Sequence, residues 1–437
     1  MGNSWTFGRA LRSRNYRLFV AGQSVSLVGT WMQQVAMSWL VYRLTGSAFL
    51  LGVVGFTSQI PTLLLAPVAG VLADRGNRRR LLLATQTCAM LQAAILAAAV
   101  LTGVIQVWQI LILSLFLGVV NAFDIPIRQS FVVEMVADRE DLGNAIALNS
   151  SMVNGARLIG PTIAGALVAS VGEGPCFVLN SVSYLAVIVA LAAMRIAPRS
   201  GHEVRRRRIL RELHEGFTYA FEFGPIRSIL LLIALVSLMG MPYSVLVPVF
   251  AKEVLHGDAH TFGFLMTAAG CGALAGTLFL ASRKSVLGLG RMIVRATCLF
   301  AAGIALFAIS RNVLFSLAAL AVAGFGGMTL VASSNTILQT ILEDDKRGRV
   351  MSFFTVAFIG MTPFGSFGAG VMAESIGARQ ALLVGAASCL AGAALFARYL
   401  PAIRETVRPI YVRMGIIPEV AVGMETATEH PSLPDDR

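Results

Sequence analysis

Charge is the scarcest commodity in this sequence. Only 13% of its 437 residues are Asp, Glu, Lys or Arg, about half the share of an average soluble domain, so water is excluded as the solvent for most of the chain. The five cysteines (Cys88, Cys176, Cys271, Cys298 and Cys389) all fall inside apolar segments and lack metal-ligand spacing. They read as small core residues, which excludes a disulfide framework and a metal site. The five histidines (His202, His214, His256, His260 and His430) fall in loops or the tail, which excludes an intramembrane histidine proton carrier. No glycine-rich phosphate cradle occurs, so direct ATP drive is not expected. No cofactor is expected either. No nucleophile–base–metal constellation is visible, so an enzyme is the weakest reading.

Apolar residues make up 56% of the chain. They gather in runs of about 20, the length that crosses a ~30 Å hydrocarbon core as a helix. The runs lack the strict alternation of barrel strands, and backbone groups in lipid must pair within their own segment. The expected fold is an all-α membrane protein with twelve spans, roughly 18–42, 48–73, 80–101, 106–133, 143–171, 175–194, 226–250, 261–282, 291–310, 313–340, 349–374 and 379–400. The start, Met1 to Arg17, is basic and polar, and the first span is too long for a signal-peptide core, so no cleavable leader is expected.

One long loop divides the chain. The expected domains are an N-terminal six-helix bundle over 1–194, a basic cytoplasmic linker over 195–225, a C-terminal bundle over 226–400 and a loosely ordered tail over 401–437. Net charge is +12, yet the arginines sit in short loops, which argues against a nucleic-acid partner. With the N-terminus inside, Arg9 to Arg17, Arg75 to Arg80, the linker, Arg283 to Arg295 and Lys346 to Arg349 all become cytoplasmic. That bias places both termini in the cytoplasm. Arg205–Arg208 in the linker fits anionic lipid. The halves repeat: Gly143, Gly155, Gly160, Gly165 and Gly172 recur 205 positions later as Gly348, Gly360, Gly365, Gly370 and Gly377. A parallel repeat of six implies two bundles related by a pseudo-two-fold axis along the membrane normal.

The elbow between spans 2 and 3 reads Gly70-Val-Leu-Ala-Asp74-Arg75-Gly76-Asn77-Arg78-Arg79-Arg80. Its arginines alone need no more than the positive-inside bias. Its acid at the membrane edge could meet a helix N-terminus, with Gly76-Asn77 supplying residues tolerant of a left-handed turn and Arg78 or Arg79 binding Glu134 or Asp124. In span 4, Asp124 and Arg128 are i, i+4 neighbours beside Pro126. They form either a static ion pair or a proton or substrate coupling site. Span 1 carries a stripe of Gln23, Ser26, Thr30 and Gln33 within about 80°. The stripe lines a cavity or makes helix–helix hydrogen bonds, and Asn335 in span 10 offers a weaker cavity candidate. Arg157 lies ~21 Å into span 5 and must meet a cavity, Asp124 or an anionic ligand. Ala156, Gly160 and Ala164, with Pro161 and Gly165, give span 5 a face for close packing. Pro242, Tyr243 and Pro248 mark a bend in span 7.

The pattern Gly70…Asp74-Arg75…Arg78-Arg79-Arg80 resembles the signature loop between helices 2 and 3 of the major facilitator superfamily, with Asn77 at the usual glycine. The stretch from Asn121 to Gly172, together with Gly29-Thr-Trp31-Met-Gln33 and Leu40-Val-Tyr42-Arg43-Leu-Thr-Gly46, resembles the enterobactin-exporter-like and macrolide-efflux-like branch. Gly160-Pro161-Thr-Ile-Ala164-Gly165 is similar in part to a motif associated with antiporters. The resemblance implies alternating access in a bacterial cytoplasmic (inner) membrane, with export of a siderophore or drug-like molecule in exchange for protons. Gly70, Asp74, Arg75, Arg78, Arg79, Glu134 and Gly348 would form the gate. Asp124 would take the proton. The cavity would be lined by Gln23, Ser26, Thr30, Gln33, Arg128, Arg157 and Asn335. Uptake or lipid flipping by the same fold, and a non-transporting receptor or scaffold, are the alternatives.

Overall fold

The computed structural model describes residues 9–136, 139–195, 218–283, 285–414 and 416; within these, the side chains of a few residues, among them Gly70, Asp74 and Arg75, fall outside the description. The basic linker at 205–208 also lies outside the described residues. Every long element described is a helix. In chain order they are α1 (Arg14–Thr45), α2 (Ala48–Arg75), α3 (Arg78–Leu101), α4 (Val107–Met135), α5 (Leu142–Val171) and α6 (Gly174–Ala193). Then come α7 (Gly224–Val254), α8 (Ala259–Ala281), α9 (Leu289–Ile309), α10 (Val313–Ile341), α11 in two pieces (Asp344–Thr355 and Thr362–Ile376) and α12 (Ala378–Arg413).

Eleven of these are long and apolar enough to cross a membrane. The exception is α1, which has 32 residues but carries Gln23, Ser26, Thr30, Gln33 and Gln34 among its apolar ones. Most of these polar groups are covered, because α1 packs on α5 and α6: Gln23, Ser26 and Gln33 are buried and Thr30 half-buried, while Gln34 is exposed.

Local chemistry sets the ends. Gly46 closes α1 in the left-handed region (φ 62°), where only glycine fits without strain. Ser47 then caps α2 by accepting from Leu50 N–H at 3.2 Å. In the elbow the expected left-handed turn does not form: Gly76 (φ −90°) and Asn77 (φ −72°) are both extended. Asn77 is instead the N-cap of α3, its side chain accepting from Arg80 N–H at 3.1 Å. The bend in α7 is carried by π-helical turns at Val236–Gly240 and Phe250–Val254. A matching turn at Val356–Gly360 divides α11. The expected loose tail from 401 is also corrected: α12 runs through Pro401 to Arg413. Leu400, Ile403, Val407, Ile410 and Tyr411 recur at helical spacing and pack on the core, so the apolar stripe outweighs the hydrogen bond that proline removes.

The helices sort into two sets. Within the first, α1 packs on α5 and α6, α2 on α4, and α3 on α4 and α6. Within the second, α8 packs on α10, α9 on α10 and α12, and α7 on α12. The sets meet along two main seams, α5 with α8 and α2 with α11. Lipid supplies no hydrophobic drive between helices, so close backbone approach must hold them. The tightest approach is α8 on α10: a methyl added at Gly272 would collide with the Ala321 carbonyl, and one at Gly324 with that of Ala269. Replacing Gly272 with leucine is expected to destabilise the fold by roughly 1–3 kcal/mol or more, read as a lower thermal unfolding midpoint in detergent. The same change at Gly143, which is exposed and where an added Cβ meets nothing within 4 Å, is expected to leave the midpoint near wild type.

Candidate functional site

Both seams are closed at one end, the end opposite the arginine-rich loops. On the α2–α11 seam, an added Cβ at Gly52 would lie 2.9 Å from Gly370 Cα. On the α5–α8 seam, one at Gly165 would lie 2.9 Å from Gly263 Cα. Aromatic rings surround these contacts: Phe49 meets Phe367 edge-on at 5.9 Å, Phe56 meets Phe364 at 5.9 Å, and Trp39 stacks on Phe262 at 6.0 Å. Two carboxylates cross between the sets. Glu374, near the end of α11, accepts from Phe49 N–H at 3.4 Å and from the Ser47 hydroxyl at 3.3 Å, both at the start of α2. The Tyr42 hydroxyl of α1 donates to Glu253 of α7, and Lys252 Nζ lies 5.6 Å from the Tyr42 ring.

Toward the arginine-rich end the seams part. Along one face of α5, Gly143, Ala147 and Ser150 are exposed, Asn154 and Arg157 are half-buried, and Pro161, Gly165 and Val168 are buried. The face of α11 related by the 205-residue repeat follows the same course: Gly348, Ser352, Thr355 and Ile359 are exposed, Thr362 is half-buried, and Ser366, Gly370 and Ala373 are buried. The repeat-related faces of α5 and α11 are therefore exposed toward the arginine-rich end and buried in the seams toward the other.

Inside the first set, several buried polar groups pair with one another. Asp124 is 6% exposed; it accepts from Thr85 Oγ1 at 2.8 Å and Gln86 Nε2 at 2.7 Å, and Arg128 Nε lies 3.4 Å from it. Higher up, Gln33 donates to Gln92 Oε1 at 3.1 Å and accepts from Asn180 Nδ2 at 2.7 Å, tying α1 to α3 and α6. At the arginine-rich end, Arg78 Nη1 lies 2.6 Å from Glu134 Oε1, and Arg79 donates to the Leu191 and Ala192 carbonyls at 2.7 Å. At the sealed end, Arg43 holds Glu173 through two bonds of 2.7 and 3.0 Å.

A two-set bundle of this kind, sealed at one end, also matches known proteins. Residues 7–415 fit the family model described as transmembrane secretion effector. The chain belongs to that family, a branch of the major facilitator transporters. It is 27% identical to the staphyloferrin A transporter of Staphylococcus aureus (strain NCTC 8325 / PS 47) over 83% of this chain and 90% of that protein. It is 25% identical to the multidrug efflux pump Tap of Mycobacterium tuberculosis (strain ATCC 25618 / H37Rv) over 88% and 91%. A bacterial homolog of the human lysosomal transporter Spinster, solved inward-facing and unoccupied, shares the fold with a TM-score of 0.68 at 15% identity, covering 93% of this chain and 99% of that one. The chain is a membrane transporter and not an enzyme.

With the transporter fold in view, the residues singled out from sequence separate into groups. Gln23, Ser26 and Gln33 are buried inside the first set, at 3%, 1% and 3% exposure, so the expectation that they line the cavity is corrected. A desolvated amide needs partners, and for Gln33 these come from Gln92 and Asn180. Thr30 is half-buried and donates back to the Ser26 carbonyl at 2.9 Å. Asn335 is half-buried on α10 and accepts from Gln339 at 3.1 Å. The small face of α5 serves two neighbours: Gly160 packs on Trp31 and Val28 of α1, Gly165 on α8. Asp124 pairs with Arg128 and not with Arg157, whose guanidinium lies 5.3 Å from the Trp31 ring. Sequence reasoning missed the sealed end. Its one signal was Gly370, already conspicuous in the repeat; Tyr42, Glu253 and Gly263 had no partner that spacing could identify.

The sealed seam makes a direct prediction. With the native cysteines replaced, Phe49→Cys and Phe367→Cys should join rapidly through a short bifunctional thiol reagent and stop transport. Reversal of the cross-link should restore it. Free transport in the fully cross-linked protein would contradict the seam's opening during the cycle.

Proposed function

We propose that this chain is a secondary active exporter that moves a small amphipathic molecule out of the cytoplasm in exchange for protons. The observation that carries this reading is that both seams are closed at one end, while the repeat-related faces of α5 and α11 are exposed at the other, which we read as a vestibule open at one end only. Twelve spans are read by counting α1, whose length and packing inside the first set support it. The 205-residue glycine repeat supports two bundles, 1–194 and 226–400 plus the continuation of α12, related by a pseudo-two-fold axis. The lysine and arginine bias puts the open end and both termini in the cytoplasm of a bacterial inner membrane, so the cavity faces inward.

In this reading the bundles rock, and contacts at one end break as those at the other form. Arg78–Glu134 and the Arg79 bonds to the end of α6 hold the elbow on its own bundle, with Gly70, Asp74, Arg75 and Gly348 completing the inner gate. Asp124 is the proposed proton site, because among the described residues it is the one acid buried away from the helix ends. The relatives' names, a siderophore transporter and a drug pump, support a siderophore or drug-like substrate. The basic linker is assigned to anionic lipid. Neither a cofactor nor nucleic acid has a part.

Inside-out vesicles with an acidic interior test both direction and coupling. A panel of siderophores and drug-like dyes should yield at least one compound that accumulates under the gradient. Asp124→Asn should abolish that accumulation while size-exclusion behaviour and the thermal midpoint hold. Gradient-driven uptake unchanged in Asp124→Asn would overturn the proton assignment. Accumulation only in right-side-out vesicles would overturn export in favour of uptake.

A further inference from the structure

Among the described residues, Arg157 lies deep in the bundle with no anion beside it. It lies midway along α5, about 20 Å from either end at the helical rise, where a guanidinium cannot reach water by stretching along the helix. Among the described residues the other intramembrane arginine that could compete for an acid, Arg128, takes Asp124. The acids at the helix ends are engaged there: Glu134 with Arg78, Glu173 with Arg43, Glu253 with Tyr42, and Glu374 with the start of α2. No described carboxylate comes within ion-pair distance of Arg157, and no described protein atom accepts a hydrogen bond from its guanidinium. What it has is the face of Trp31, 5.3 Å away. An aromatic face stabilises and orients a guanidinium. It leaves the N–H edge, which binds planar oxyanions through two bonds, unused.

Its placement is as informative as its solitude. On the α5 face that turns from exposed to buried, Arg157 is half-buried, seven residues on from exposed Ser150 and four before buried Pro161. It thus lies at the blind end of the vestibule. Its own carbonyl is level with Gly270 of α8, where an added Cβ would lie 3.1 Å away. Arg157 thus sits where α5 of the first set passes α8 of the second. A half-buried charge without an anion is incompletely solvated in the empty cavity and gains when a ligand brings the opposite charge. That difference is what a specificity-determining residue needs.

We propose that Arg157 is the anion-recognition residue of the transport site, oriented by Trp31, and that the substrate is an amphiphile bearing a carboxylate. This rests on the transport reading for its setting, but it is tested by binding alone, so it can fail while export stands, and export can fail while it stands. The full-length protein is purified and reconstituted in phosphatidylcholine nanodiscs. Tryptophan fluorescence is titrated with 2-naphthoate, citrate and carboxyfluorescein, each against its neutral ester. The expected result is tighter binding of at least one acid than of its ester in the wild type. Arg157→Gln should weaken that acid about 10- to 100-fold, the loss typical of a charge-assisted contact, and leave the ester unmoved. Arg157→Lys, which keeps the charge without the fork, should retain part of the preference and serves as the folding control. Absence of any acid-over-ester preference in the wild type overturns the proposal, as does a preference that survives Arg157→Gln. Suppression of acid binding by phosphatidylglycerol in place of phosphatidylcholine, with equal sensitivity to Arg157→Gln, would reassign the residue to a lipid headgroup and overturn the small-molecule carboxylate.

Discussion

Close approach of glycine to glycine across the seams is the constraint on which the rest of the structure depends. In lipid, two helices gain little by hiding apolar surface from each other, so packing contact must do most of the joining. Gly52 on Gly370 and Gly165 on Gly263 bring backbones together with no side chain between. Such a contact is smooth. It holds while the surfaces meet, and it can be given up without withdrawing interlocked side chains or separating a buried ion pair.

The polar contacts divide along the same line. Those inside a set are charged, multiple or buried: Arg43 with Glu173, Arg78 with Glu134, Asp124 with three donors, Gln33 with two amides. Breaking one would strand a polar group in a low-dielectric interior, so the first set is stiff. Those between sets are two carboxylates near the helix ends and one hydroxyl pair, Thr162 with Thr267 at 2.8 Å, where an exposed contact is worth little. A stiff body with a separable interface is what alternating access requires.

Sequence reading carried far where physics acts on single segments. Span positions followed from length and hydropathy, and the superfamily from the elbow and the α5 stretch. It carried less far where the answer depended on a neighbour. The stripe on α1 required polar company, but nothing in Gln33 could say whether that company was cavity water or Asn180 and Gln92. The small face of α5 announced close packing without saying that Gly160 meets α1 while Gly165 meets α8. The end of α12 was misplaced for a local reason: Pro401 and nearby charges hid an apolar stripe from Leu400 to Tyr411. Arg157 was the reverse case, since its depth alone restricted it to three fates, and the pairing of Asp124 with Arg128 removed one.

The antiparallel register of α2 and α11 links the observed seal to the elbow. Gly52 lies opposite Gly370, and Leu63 lies opposite Gly360, so the helices keep step as one rises and the other falls. Carried toward the sealed end, that step brings Ser47 level with Glu374, and there the carboxylate accepts from the Ser47 hydroxyl and from the Phe49 N–H in the first turn of α2. Carried toward the arginine-rich end, it brings position 74 level with Gly348, in the first turns of α11. A helix start favours negative charge, and at the sealed end that charge is Glu374 on the start of α2. In the proposed rocking this contact opens as the arginine-rich end closes, and the proposed gate residue Asp74 is then the acid at the equivalent height for the first turns of α11.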